Sequence, residues 1–305
     1  MKRSAIDVVR RGFENALANW PLILIRIAEG VVFGAIIIGS IIAAVIPLLI
    51  SAGLSKDTDY RNPENVAQLL VTLVIEHWIL VLYLLALFLL ILGVLMALHS
   101  FVEAGCARIY IDGERTPGLK AFAADRWFRG GVGGWWAVFW IYNLAWSVGA
   151  LVLLGPLVLT IAGMLVVGET AGRVIIGCAG LGVTLLLLLP TAILIGMWTQ
   201  KAIAVCVART LGAVEALRAA RREIKLDFGR HLAVALVLMV IGFMAAMVVS
   251  GMSFPLSIGN HRRVSFLPLL FAPMQLALSF VQSIVSAAVR AWSLASFVAL
   301  TEERP

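Results

Sequence analysis

Hydrophobic positions gather into six long runs: Trp20 to Ile50, Val66 to Leu98, Trp135 to Leu165, Val174 to Val207, Leu232 to Phe254 and Phe266 to Ala288. Each exceeds the ~20 residues that a helix rising ~1.5 Å per residue needs to cross a ~30 Å hydrocarbon core. The segments between the runs are too short to fold on their own. The pattern predicts an all-α polytopic membrane protein with six transmembrane helices, forming a single integral membrane domain over residues 1–305.

Shorter amphipathic patterns punctuate the runs. From Ser4 to Asn19, residues Ile6, Val9, Phe13 and Leu17 recur at helical spacing, with Asp7, Arg10, Arg11 and Glu14 between them. Gly212 to Gly229 repeats the arrangement, with Leu217, Ala220, Ile224 and Phe228 on one stripe and Arg218, Arg221, Arg222, Glu223 and Lys225 alongside. Each pattern predicts one apolar face on a helix lying flat at the membrane surface. A shorter version starts at Pro117, suited to a first helical turn, and passes through Leu119, Phe122, Ala123, Trp127 and Phe128. Gly130, Gly131, Gly133 and Gly134 then let the chain break and turn into the membrane. In the first outer loop, Asn62-Pro63 reads as a helix start, with Asn as cap and Pro at the first helical position.

The even-numbered spans end alike, in Ala104-Gly-Cys106, Ala204-Val-Cys206 and Ala295-Ser-Phe297. The chain thus reads as three consecutive units, about 4–110, 114–210 and 213–301, each an interfacial amphipathic helix followed by a transmembrane hairpin. Every unit starts on the same side, which makes the repeats parallel.

Charge then orients the bundle. Composition is 62% hydrophobic and 13% charged, mean hydropathy is +1.01 and net charge is +7. Lys2, Arg3, Arg10 and Arg11 precede the first span; Arg108, Arg115, Lys120, Arg126 and Arg129 follow the second; Lys201, Arg209, Arg218, Arg221, Arg222, Lys225 and Arg230 cluster after the fourth. Only Lys56, Arg61, Arg173, Arg262 and Arg263 fall on the other side. The excess of Lys and Arg on cytoplasmic segments predicts both termini inside. Arg10, Arg11, Arg126, Arg129, Arg218, Arg221, Arg222 and Lys225 are the expected contacts to anionic lipid headgroups; no nucleic-acid partner is expected. The opening segment lacks a small-residue cleavage site and leads into a run longer than a signal core, so the first span is expected to stay.

The opening Arg11-Gly-Phe-Glu-Asn-Ala-Leu-Ala-Asn-Trp20-Pro21, the small-residue span ends, and the helix Gly212-Ala-Val-Glu-Ala-Leu-Arg-Ala-Ala-Arg-Arg222 leading through Phe228-Gly229-Arg230 resemble bacterial six-span proteins of the YciC-like and glycerophosphodiester-phosphodiesterase membrane-domain families. The resemblance covers nearly the whole chain and implies its six-span architecture. Some members of that group carry a fused phosphodiesterase domain. These residues contain none, so the resemblance does not bring that activity with it.

Candidate chemistry is sparse. Ionisable groups inside spans are costly and mark candidate functional positions. Arg26 and Glu29 lie three apart on the first span, close enough for an intrahelical pair, and His99 and Glu103 lie four apart at the inner end of the second. Arg290 aligns with His99, so the five are expected at similar depth in the inner leaflet. As one cluster they bind an anionic headgroup or relay protons; as separate groups the arginines snorkel to headgroups and the carboxylates pair locally. Glu76 and His77 are expected at the outer interface, and Asn143, Gln275 and Gln282 as interhelical hydrogen-bonding groups. Gly30 and Gly34, with Gly177, Gly180 and Gly182, read as close helix contacts, and Pro190 as a kink.

Cys106, Cys178 and Cys206 lack the spacing of a disulfide framework or zinc site and read as packing residues. Trp135, Trp136, Trp140, Tyr142 and Trp146 read as an aromatic belt running into the bundle. With no HExxH, Walker or GxSxG motif, no metal, cofactor or catalytic residue is expected. Three readings remain: a non-enzymatic organiser or regulator of a membrane partner or lipids, with a second membrane protein or another copy of the chain as partner; a transporter or exporter of a small or lipid-like substrate; and an intramembrane lipid-modifying enzyme.

Overall fold

The structure is a computed structural model that describes residues 3–51, 75, 78–259 and 267–303. Lys56, Arg61, Asn62-Pro63, Glu76, His77, Arg262 and Arg263 lie outside the described residues, as does the side chain of Gln275. Within them the chain is all helix: α1 (Ala5–Ala18), α2 (Pro21–Ser51), α3 (Trp78–Glu114), α4 (Ala124–Val166), α5 (Thr170–Arg209), α6 (Ala213–Leu226), α7 (Phe228–Gly259) and α8 (Leu267–Glu302). Six of these helices are long and apolar enough to cross a membrane, as a polytopic membrane protein requires. The short helices α1 and α6 fall where the two longer amphipathic patterns predict them.

Contacts divide the chain into two compact units, residues 28–99 and residues 1–27 with 100–305. The larger unit is built around the small-residue span ends. Ala104, Ala204 and Ala295 are wholly buried, and Cys106, Cys206 and Phe297 are nearly so. Small side chains let these helix ends approach closely, which is how helices associate where lipid supplies no hydrophobic drive.

Helix α1 begins in a capping box. Ser4 Oγ accepts from the Asp7 amide at 3.2 Å and Asp7 Oδ2 accepts from the Ser4 amide at 3.2 Å. Its buried face is small and polar: Val8, Val9, Gly12, Asn15 and Ala16 turn inward, while Ile6, Phe13 and Leu17 of the apolar stripe are exposed. A Cβ at Gly12 would lie 2.6 Å from the Ser296 Cα, so only glycine permits this crossing of α1 over α8. Trp292 Nε1 adds a hydrogen bond to the Val9 carbonyl at 2.7 Å.

Helix α6 behaves differently from its prediction. Its stripe of Leu217, Ala220 and Ile224 is buried in protein rather than laid into the acyl boundary, and Ile224 joins Val8, Met197, Val234, Leu238 and Phe297 in one core cluster. Trp198 Nε1 donates to the Leu217 carbonyl at 2.9 Å.

The middle amphipathic segment is not a separate helix. Helix α3 runs on to Glu114, and Thr116-Pro117-Gly118-Leu119 forms a turn closed by the Leu119 amide on the Thr116 carbonyl at 3.2 Å. Gly118 has φ +89° and Leu119 φ +64°. Proline at the second position and a left-handed glycine at the third are the requirements of a type II turn, so Pro117 shapes a turn and starts no helix. Nor do the glycines break the chain, since α4 runs through them without interruption. A Cβ at Gly130 would meet Arg108 Cβ at 2.7 Å, at Gly131 Phe101 Cε2 at 2.7 Å, and at Gly134 Ala104 Cβ at 3.0 Å. Each glycine costs a helix about 1 kcal/mol against alanine, a cost offset here by the tight crossing with α3. Gly180 likewise opens space for Thr160 across the α4–α5 hairpin, but Cβ atoms at Gly30, Gly34 and Gly182 would meet nothing within 4 Å. Those three do not mark close contacts among the described residues.

Asn19 holds the turn against α1. It is fully buried; its Nδ2 donates to the carbonyls of Asn15 at 3.0 Å and Leu119 at 2.8 Å, and its Oδ1 accepts the amides of Ala121 and Phe122, each at 2.9 Å. Nδ2 also lies 2.9 Å from Asn15 Oδ1, so every polar atom of the side chain is engaged. Replacing Asn19 with Ala removes the partner of the Leu119 carbonyl and of the Ala121 and Phe122 amides at ~1–3 kcal/mol each, while the Asn15 carbonyl keeps the residue 19 backbone amide. The expected outcome is a lowered melting temperature and protease cleavage between residues 115 and 123; cleavage at the wild-type rate would show that the clamp is not what orders this segment.

Candidate functional site

Three polar constellations emerge in the larger unit, one open to solvent and two built on buried side chains. The first buried one joins Arg26 of α2 to Glu103 of α3, both side chains almost fully enclosed, by a short charge-assisted hydrogen bond from Arg26 Nη2 to Glu103 Oε2. Tyr142 Oη of α4 donates to the other carboxylate oxygen at 3.2 Å. Spacing in the sequence suggested intrahelical partners, whereas this network ties three helices together. In the smaller unit, His99 Nδ1 and Glu29 Oε1 lie 2.7 Å apart, with the Phe33 ring packed edge-on to His99 at 6.5 Å between centroids. Arg290 joins neither arrangement: it is exposed, with no ion-pair partner among the described residues. Asn143 bonds back to the Phe139 carbonyl at 2.8 Å, satisfying itself within its own helix, and Gln282 is exposed.

The expected headgroup contacts divide in the same way. Arg218, Arg221, Arg222 and Lys225 are all exposed along α6, and Arg10 is exposed beside Glu14 at 3.0 Å. Arg11 instead turns inward to Glu114 at 3.2 Å, a buried carboxylate that also accepts from Asn15 Nδ2 at 3.1 Å. An exposed pair such as Arg10–Glu14 contributes only ~0.3–0.5 kcal/mol, so α1 is held by its buried face rather than by surface charge.

The open constellation is a cleft of about 730 Å³ where the end of α3, the start of α4 and the end of α5 meet. Arg108, Asp112 and Arg115 line it from α3 and the residue after it; Arg126, Arg129, Gly130, Gly133, Gly134 and Ala137 line it from α4; Cys206, Val207, Thr210 and Leu211 close it. Three of the arginines have carboxylate partners: Arg108 with Asp112 at 3.4 Å, Arg115 with Glu302 at 2.8 Å, and Arg129 with Asp125 one turn away. Arg126 has none among the described residues. Thr210 on the rim holds φ +52°, a left-handed conformation unfavourable for a β-branched residue. Gly133 faces this open space: a Cβ there would meet nothing within 4 Å.

At Ala137 the cleft meets a second cavity of about 500 Å³, lined by Trp136, Trp140 and Leu144 of α4 and by Gly212, Ala213, Val214 and Glu215 at the start of α6. Trp136 and Trp140 are both exposed and meet edge to face, with centroids 5.8 Å apart. These two rings belong to the predicted aromatic belt, but here they border a cavity.

A third cluster knits the lower ends of α5, α6 and α8. The almost fully buried Lys201 Nζ lies 2.8 Å from Glu223 Oε2 and donates to Thr301 Oγ1 at 3.0 Å, while Arg209 approaches the other Glu223 oxygen at 2.5 Å. Burial pushes the Glu223 carboxyl up, but hydrogen bonds and charge from Lys201 and Arg209 outweigh it and hold the group below the usual range.

Sequence reading missed the cleft. Arg108, Asp112 and Arg115 recur at helical spacing on one face, a signal that was available, but the four glycines of α4 were read as a break. No family model matches the chain, and neither a curated protein nor a solved structure does.

Substituting Glu103 with Gln removes one half of the buried Arg26–Glu103 ion pair, a change that costs ~3–5 kcal/mol; thermal unfolding in detergent is expected to show a large loss of stability, and a loss under about 1 kcal/mol would show that the pair does not hold these helices together. For Glu223 the sign is set by its depressed pKa. Its contribution is complete above the unfolded carboxylate value of about 4.3 and is lost as pH falls through the lower folded value. Wild-type stability is expected to drop between about pH 5 and 3, and E223Q to be less stable at pH 7 with a flatter acid limb; parallel limbs would exclude Glu223 as the titrating group.

Proposed function

We propose that this chain is a non-enzymatic protein of a bacterial inner membrane that organises or regulates a membrane partner or the lipid around it. One observation carries the reading: in the larger unit, a tightly packed, arginine-rich end continues into spans with little of their apolar length buried. In the most apolar windows of the third, fourth and fifth spans 11, 11 and 17% of residues are buried, against 50% in the sixth. Apolar surface on that scale is available to lipid and to another membrane-embedded chain, while the packed end supplies a rigid base.

The same base supports a parallel threefold architecture. Trp198, near the end of the fourth span, bonds to α6 of the next unit; Trp292, near the end of the sixth, bonds back to α1 of the first; and Gly105, near the end of the second, accommodates Trp127 of the middle segment. Each link joins one unit's hairpin to the next unit's surface segment, and the last closes on the first. The exposed cations of α6 favour seating this end, with both termini, on the cytoplasmic side. The YciC-like resemblance agrees with this architecture and does not specify an activity.

Two measurements test the reading. In a Cys178→Ser background, Gly168→Cys between α4 and α5 is expected to react with an impermeant maleimide on intact spheroplasts, and Arg222→Cys only after permeabilisation; the opposite pattern inverts the topology. Native mass spectrometry of protein extracted in polymer discs from its own membrane is expected to show a second protein in fixed ratio or lipid enriched over the bulk. A lone chain in lipid of bulk composition would overturn the organiser reading.

A further inference from the structure

The two cavities of the larger unit adjoin at Ala137, and along α4 their lining passes from arginine to tryptophan, with Glu215 of α6 also lining the second. Arg126, Gly130, Gly133 and Ala137 follow one face of the helix into the arginine cleft, and Trp136, Trp140 and Leu144 continue at four-residue spacing along the second cavity. At ~1.5 Å per residue, Arg126 and Leu144 are about 27 Å apart along the axis, enough to reach from the headgroup layer into the acyl region. A purely polar solute has no use for the tryptophan-lined half, and a purely apolar one has none for the arginines.

We propose that the joined cavities are a binding site for one anionic phospholipid, with its phosphate among Arg108, Arg115 and Arg126 and an acyl chain along Trp136, Trp140 and Leu144. Charge complementarity selects the occupant. Guanidinium groups present planar arrays of donors matched to phosphate oxygens, and those already bonded to a carboxylate keep further N–H groups to give. Arg126, unpaired among the described residues, supplies the uncompensated positive charge. A zwitterionic headgroup would bring its ammonium against the same cations, so the site discriminates against phosphatidylcholine. Asp112, at the cleft wall, accepts hydrogen bonds from a headgroup that bears hydroxyls, as phosphatidylglycerol does. Gly133 leaves room for the phosphate, and the exposed faces of Trp136 and Trp140 form the wall against which the chain lies.

This deepens the lipid arm of the organiser reading and rests on it only for the orientation of α4 in the membrane. The test uses the purified full chain in detergent, titrated by native mass spectrometry with dioleoyl phosphatidylglycerol, dioleoyl phosphatidylcholine and glycerol 3-phosphate. One phosphatidylglycerol is expected to bind at least tenfold more tightly than either of the others. Gly133→Leu fills the cleft at a position where its Cβ meets nothing, and Arg126→Gln removes the unpaired charge. Each is expected to weaken phosphatidylglycerol binding tenfold or more without lowering the melting temperature, and Arg126→Gln keeps the test valid if the leucine disturbs the helix. Trp140→Ala is expected to weaken the lipid and leave glycerol 3-phosphate unchanged. Equal binding of the two lipids, equal binding of glycerol 3-phosphate, or wild-type lipid affinity in Arg126→Gln would each overturn the site. Because no partner protein enters the titration, loss of the organiser reading leaves this result standing, and the reverse also holds.

Discussion

Where helices leave a membrane and turn back, backbone amides and carbonyls lose their helical partners, and buried groups must find new ones inside the protein. In this chain one such gap falls between α3 and α4, and Asn19 fills it. One carboxamide accepts two amides and donates to two carbonyls, pinning residues 119–122 to the end of α1. Asn15 continues the clamp to the Tyr110 carbonyl at 2.9 Å and to Glu114. This polar contact fixes the segment that leads into α4, and with it the approach of α4 to α1 and α3. Apolar contacts tolerate sliding; a fully subscribed carboxamide in a dry site does not.

Close packing and charge placement act together around that clamp. Glycine and alanine at the helix crossings bring α1, α3, α4 and α8 near enough for side chains to bond to neighbouring backbones, as Trp292 does to Val9. The same small residues leave the open space at Gly133. Arginines thus serve two different ends within a few turns of helix. Arg26 is enclosed and neutralised by Glu103, which fixes three helices in register, while Arg126 stands at the edge of a cavity with its charge uncompensated among the described residues. The first arrangement holds structure; the second is available to a ligand.

Much of this architecture is legible in the residues alone. Six apolar runs longer than a bilayer is thick admit few other solutions, and the spacing of Ile6, Val9, Phe13 and Leu17 or of Leu217, Ala220 and Ile224 marks α1 and α6 because helical periodicity is a local property, although the face that α1 buries is Val8, Val9, Gly12, Asn15 and Ala16. The small-residue span ends identify the core for the same reason: Ala104, Ala204 and Ala295 have nothing to offer except closeness.

What the sequence could not decide is which neighbour each local signal addresses. Pro117 is compatible with a helix start and with a turn; the adjacent Gly118 and the distant Asn19 select the turn. The glycines of α4 are compatible with a break and with a crossing; Phe101, Ala104 and Arg108, brought up from α3 against Gly131, Gly134 and Gly130, select the crossing, while Gly133 faces open space. Arg26 and Glu29 have the spacing of a pair, yet Arg26 finds Glu103 on another helix. Helix existence, span number and charge asymmetry are thus determined by the chain itself, because hydrogen-bond periodicity and transfer into lipid act over neighbouring residues. Partner choice, glycine use and the cavities belong to the tertiary structure, because they depend on residues many turns away meeting at distances that only packing sets.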